Sequence, residues 1–150
     1  MDPGNEQSAW VVYDPVKKIP VRFGLEPNHV VLRRIHTGEL SITATHLDVE
    51  MIASYGLAVG RTVFDTCVWI GRFIESWRIC AENTSFTQIY RKDVKMFLCN
   101  SMRAKDSNIR QRVLDIFPAT GGGKTPQIGT KGQPGPLYGV TSHAISALAL

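Results

Sequence analysis

The chain has 150 residues, 43% of them hydrophobic and 20% charged, which is enough for one globular domain with its own core and excludes a wholly disordered protein. A formal net charge of +4 and a pI near 9.1 suit an acidic partner such as nucleic acid without demanding one. No run approaches the ~18 apolar residues of a membrane span, and the start lacks the basic-then-apolar run of a signal peptide.

Cys67, Cys80 and Cys99 are widely spaced, and with His29, His36, His46 and His143 scattered they form no zinc framework. Free thiols in a cytoplasmic protein follow, with Cys67 and Cys99 expected in helix cores.

Ser8 to Tyr13, SAWVVY, is β-rich and bounded by PGN and DP, which predicts a strand. DPVKKIP reads as a hairpin connection into a second strand, Val21 to Gly24, kept short by Pro20 and Pro27. Asn28 is placed to cap a short helix through VVLRRI that Gly38 ends. In THLDVEMI, Leu47, Val49 and Met51 alternate with Asp48, Glu50 and Ile52, the pattern of a central strand.

ASYGLAVGR is a glycine-broken loop. It leads into VFDTCVWIGRFIESW, where Phe64, Cys67, Val68, Gly71, Ile74 and Trp77 recur at helical spacing. Phe86 to Tyr90 predicts another strand and KDVKMFLC a short helix. DSNIRQRVLDIF predicts a helix with Ile109, Val113, Ile116 and Phe117 on one face, capped by Asp106 or Ser107. Residues 119–135 collapse into glycine, proline and lysine, a composition that predicts a flexible loop. TSHAISALAL starts a last helix, capped by Thr141 or Ser142. Hairpin strands, then strand–helix units, then a terminal helix make a single α/β domain over residues 1–150, with a mixed sheet and no internal repeat.

GGGKT, Gly121 to Thr125, invites comparison with a phosphate-binding P-loop. That motif needs G-x-x-x-x-G-K-[ST] between a strand and a helix. Here the first glycine is replaced by Pro118, a helix precedes, and TPQIG cannot continue as one. Lys124 and Lys131 make the segment either a basic loop that follows a phosphate backbone or a plain linker.

Asp2 precedes a tight turn, and Glu50 lies inside a hydrophobic strand. Buried carboxylates are costly unless paired with a cation or a metal. Either Asp2 caps a turn and Glu50 sits at a solvated strand end, or the two acids meet. In the second case they form an oxygen-rich site suited to Mg²⁺, as two-metal phosphodiester hydrolysis needs. His143 is a surface or capping histidine by itself, and a ligand or proton shuttle if its helix packs beside the acids. Arg61, Arg91, Lys92, Lys95, Arg103, Lys105, Arg110 and Arg112 are either a solvated face or a phosphate-contacting one. Trp10, Phe73 and Trp77 read as core, and Tyr55 as a loop aromatic able to touch a base or sugar.

In order along nearly the whole chain, these pieces resemble the RuvC-type Holliday junction resolvases, above all the short phage-type members. MDPGNEQSAWVVYD looks like their first hairpin, whose first strand ends in Asp-Pro-Gly. HLDVEMIASYG and the VFDTCVWIGRFIE helix resemble their second acidic strand and the helix behind it. YRKDVKMFLC and MRAKDSNIRQRVLDIF are similar to their basic helical segment, and SHAISALAL to the closing helix with the remaining metal ligands.

The resemblance implies a ribonuclease-H-like fold and a homodimer that cuts branched DNA with Mg²⁺ or Mn²⁺, in a bacterium or a phage-infected cell. It implies that Asp2 bridges two metals, that Glu50 binds one, and that His143 is a ligand or general base. Arg91, Lys92, Lys95, Arg103 and Lys105 would hold flanking phosphates, with Lys124, Tyr55 and Arg61 as further DNA contacts. The helix from Phe64 to Trp77 is the expected dimer surface.

Two departures stand against the pattern. The closing helix has Ser146 where the family offers a second acid, and no acid follows Asp115. A branched-DNA-binding protein that does not cut is therefore the first rival, ahead of a P-loop hydrolase and a purely structural protein. Only Met1 precedes Asp-Pro-Gly where the family has an apolar strand, so either the natural start lies upstream or the sheet lacks most of a strand. The end at Leu150, inside an apolar run, raises the same expectation for the other terminus.

Overall fold

In the computed structural model, which describes residues 1–40, 44–80 and 85–150, Met1 ties two small sheets into one. Strands β1 (Asp2–Pro3), β2 (Gln7–Asp14) and β3 (Ile19–Pro27) are antiparallel, while β4 (His46–Met51) and β5 (Ser85–Tyr90) pair in parallel. The Met1 α-amino group donates to Asp48 O at 2.6 Å, and the Met1 carbonyl accepts the Glu50 N–H at 2.9 Å. The spatial order is thus β3–β2–β1–β4–β5, with the two-residue β1 in the middle.

Five helices complete the described residues: α1 (Asn28–His36), α2 (Arg61–Cys80), α3 (Arg91–Cys99), α4 (Asp106–Ile116) and α5 (Ser142–Leu148). The period-two alternation of β2 divides its side chains between two cores. Trp10 and Val12 join Val31, Val49, Ile70 and Phe73 under α1 and α2. Val11 joins Val94, Ile109, Val113 and Ala144 under α3, α4 and α5. Helices on both faces of a mixed sheet are the expected α/β arrangement.

Several local expectations change. β3 runs through both Pro20 and Pro27. It is the outer strand of its sheet, the place where proline is tolerated. Asn28 does not cap α1 with its side chain. It is buried, accepts the Ser8 hydroxyl proton at 2.6 Å and donates to Gly4 O at 2.9 Å, locking the first turn to the helix.

In α2 the buried face is Thr66, Ile70, Phe73 and Trp77, whereas Phe64 and Val68 of the expected stripe are 60% and 62% exposed. Both sets have helical spacing, and only one of them meets α1 and β4. Ile116 is likewise exposed and Leu114 buried in its place, and Cys67 and Cys99 are half-buried. The α4 start is capped by Asn108, whose Oδ1 accepts the Lys105 N–H at 2.9 Å. Thr141 caps α5 as expected, accepting the Ala144 N–H.

Residues 119–135 contain a single Gly129–Pro134 bridge, yet they close on themselves. Gly121 N–H donates to Pro126 O, and both Gly122 and Thr130 donate to Gln133 O. A Cβ on Gly129 or Gly135 would come within 2.3 Å of another backbone atom. Close backbone packing explains those glycines.

Candidate functional site

Asp2 follows the residue that bridges to β4, and Glu50 is the residue whose N–H that bridge holds. Their side chains therefore meet at the sheet centre and share a hydrogen bond. Both are half-buried, with the Glu50 side chain 16% exposed. Burial raises the Asp2 carboxyl above the ordinary range, against the pull of the N-terminal amine, Arg91 and His143. Burial, and then the Asp2 charge, push Glu50 up to about 7. Their mutual hydrogen bond lowers Asp2 and raises Glu50, so of the two it is Glu50 that is pushed toward the neutral form.

Arg91 is brought here by strand pairing. Tyr90 ends β5 opposite Met51 of β4, so the first residue of α3 emerges beside Glu50. Its Nη2 donates to Asp106 Oδ1 at 2.8 Å, and its Nη1 stands 3.6 Å from Glu50 Oε2. That Nη1 is buried and makes no hydrogen bond. Arg91 lowers Asp106, whose charge Lys95 also reaches. The buried Met1 amine completes the surroundings, its pKa lowered by burial to about 6.

Helix α5 packs on β1, β2 and β3. His143 lies exposed in its first turn, near enough for its charge to lower Asp2. Ser146 is half-buried one turn further on. Two neighbouring carboxyls, incompletely neutralised by one guanidinium, fit a hard divalent cation that takes oxygen donors. Among the described residues, however, no three His, Cys, Asp or Glu side chains are grouped closely enough to hold an ion. The fit is to the acidic pair; the α5 side supplies no charged third ligand.

The expected DNA contacts spread outward from the pair. Tyr55 is 63% exposed in the loop after β4, with a left-handed φ of 48°. Arg61 starts α2, exposed, with Asp65 at 3.6 Å. Lys92 and Lys95 lie on α3, Arg103 and Lys105 on the approach to α4, and Lys124 on the closed loop; all but the half-buried Lys95 are exposed. Arg91 departs from that group, since its contacts are Glu50 and Asp106 rather than open surface. Sequence reasoning did not connect Asp106 with Arg91. Fifteen residues separate them, and Asp106 at a helix start reads as a cap.

No family model matches the chain, and neither does any curated protein sequence. Its fold does have solved counterparts. The Thermus thermophilus RuvC structure superposes with a TM-score of 0.61 at 18% identity, covering 99% of this chain and 86% of that one. T. thermophilus RuvC in complex with Holliday junction substrate gives a TM-score of 0.61 at 17% identity with the same coverage. The chain has the RuvC-like, ribonuclease-H-like α/β fold. Among the described residues no helix is long and apolar enough to cross a membrane.

Proposed function

We propose that this chain is a metal-dependent endonuclease acting on branched DNA such as Holliday junctions, a cytoplasmic protein of a bacterium or a phage-infected cell. The observation that carries the reading is the Asp2–Glu50 pair, two half-buried carboxyls on neighbouring strands with the Arg91 guanidinium 3.6 Å from Glu50. Two half-buried carboxylates are costly to ionise together without a further cation. Asp2 and Glu50 would hold Mg²⁺, or Mn²⁺ in its place, with His143 beside Asp2. Divalent metal at such a site supplies an activated water and stabilises the leaving oxygen of a phosphodiester.

The chain's own groups divide the remaining work. Asp106 fixes Arg91, which offsets part of the negative charge that the acids and a scissile phosphate place together. His143, in the first turn of α5, takes or returns a proton beside Asp2. Lys92, Lys95, Arg103, Lys105 and Lys124 hold flanking phosphates, and such contacts weaken steeply with salt. Tyr55 and Arg61 touch the junction. The exposed Phe64 and Val68 on α2 form the homodimer surface, since two-fold pairing suits symmetric cuts in a four-way junction.

A second reading, branched-DNA binding without cleavage, is favoured by Ser146 and by the lack of a three-ligand group among the described residues. Cleavage of a labelled four-way junction, beside plain duplex and splayed DNA, separates the two. Junction cutting with Mg²⁺ or Mn²⁺ that Glu50→Gln abolishes is the expected result. Junction binding with no cutting in either metal overturns the catalytic reading and leaves the binding one.

A further inference from the structure

Arg91 brings a fixed positive charge to the acid pair, and one of its nitrogens is left over. Nη2 donates to Asp106 Oδ1 at 2.8 Å, which anchors the guanidinium to the first residue of α4. Nη1 is buried, stands 3.6 Å from Glu50 Oε2 and makes no hydrogen bond. The charge acts on Asp2 as well as on Glu50. We infer that this guanidinium stands in for a second metal ion. If the pair is the metal site proposed above, Asp2 and Glu50 then hold one divalent cation, against the two that the resemblance implies.

Charge balance favours a single ion. A guanidinium in a protein is always protonated, so the site cannot shed this charge when a metal arrives. Two carboxylates, Arg91 and one divalent ion together keep one positive charge, which the single negative charge of a phosphodiester cancels. A second divalent ion would leave a large positive excess around the same phosphate. Asp106 does not undo this balance. Its side chain is 77% exposed and Lys95 shares its charge, whereas Arg91 Nη1 is buried beside Glu50. Exposed charges are screened far more than buried ones.

The supply of ligands agrees. Mg²⁺ takes about six oxygen donors, and carboxylates anchor it. On α5 the position one turn beyond His143 is Ser146, which offers only a neutral hydroxyl. At Glu50 the neighbouring side chain is Arg91, which has no lone pair to give a metal. A second divalent ion beside Glu50 Oε2 would also meet a like charge a few ångströms away in a partly buried site. The guanidinium offers instead its unused N–H, a charged donor able to meet an anionic phosphate oxygen as an ion would.

Titration of the full chain with Mn²⁺ alone, followed by the electron paramagnetic resonance of the free ion, needs neither DNA nor cleavage. The parent should bind one Mn²⁺ per chain. Arg91→Met removes the opposing charge and should bind Mn²⁺ at least about fivefold more tightly. Arg91→Lys keeps the charge and should match the parent within about twofold. An Arg91 that merely straps α3 to α4 would not produce that pattern. Two Mn²⁺ per parent chain overturn the inference, and that count does not depend on any variant folding. So does an affinity equal to or below the parent's in an Arg91→Met chain whose circular dichroism matches the parent's. No Mn²⁺ bound by the parent defeats the metal-site reading of the pair itself, and the inference falls with it.

Discussion

Asp2 and Glu50 lie on adjacent strands with their carboxyls hydrogen-bonded, and burial lifts Glu50 from 4.5 to about 7. A raised folded-state pKa means that the native chain binds more protons than the unfolded one between those two values. Stability from this group is therefore lost as pH rises through that window. Glu50→Gln removes the ionisation, so its stability relative to the parent should improve by about 1–3 kcal/mol between pH 5 and pH 8. Urea unfolding of both chains at the two pH values measures this difference. A difference that does not change with pH would show that the pair is solvated and uncoupled.

Ser146 stands one helical turn beyond His143, on the same side of α5. Ser146→Asp should tighten Mn²⁺ binding by about tenfold, since a carboxylate adds the charged oxygen donor that hard cations prefer. Ser146→Asn supplies a neutral oxygen and should gain far less. Calorimetric titration of the three chains decides the matter. Equal affinities would place Ser146 outside the coordination sphere.

Asn28 binds Ser8 and Gly4 at once from a buried position. Asn28→Ala leaves both partners unsatisfied and should cost about 2–3 kcal/mol in chemical denaturation. The loss should come with little change in the denaturant slope. A cost below about 0.5 kcal/mol would mean that water replaces the amide there.

Phe73 and Phe64 share α2 but not an environment. Phe73 is fully buried, while Phe64 is 60% exposed. Phe73→Ala should cost about 3–5 kcal/mol. Phe64→Asp should leave the stability of the monomer within about 0.5 kcal/mol and weaken self-association. Sedimentation of the parent chain and Phe64→Asp, beside denaturation of all three, checks both halves. Unchanged self-association in Phe64→Asp moves the dimer surface elsewhere.

How much was legible beforehand follows from the range of the interactions. The alternation of Leu47, Val49 and Met51 is local, and β4 forms on it, from His46 to Met51, starting one residue before Leu47 and ending before Ile52. The Thr141 cap is equally local and sits where expected. Asp2 and Glu50 could be singled out because a carboxylate ahead of a turn and another inside an apolar strand are both unusual in context. Phe64 and Val68 misled, because α2 is apolar on more than one side and periodicity alone does not say which side meets the sheet.

By itself, then, the sequence determined the kinds of elements, their order, and the two acids worth watching, since each depends on residues a few positions apart. Only the tertiary structure decided that Met1 bridges β2's sheet to β4, and that Arg91 is held between Glu50 and Asp106. It alone brought the two acids together as one half-buried, hydrogen-bonded pair. Those relationships join residues far apart in the chain. Their energies come from burial and from charges brought within a few ångströms, which exist only once the sheet has closed around them.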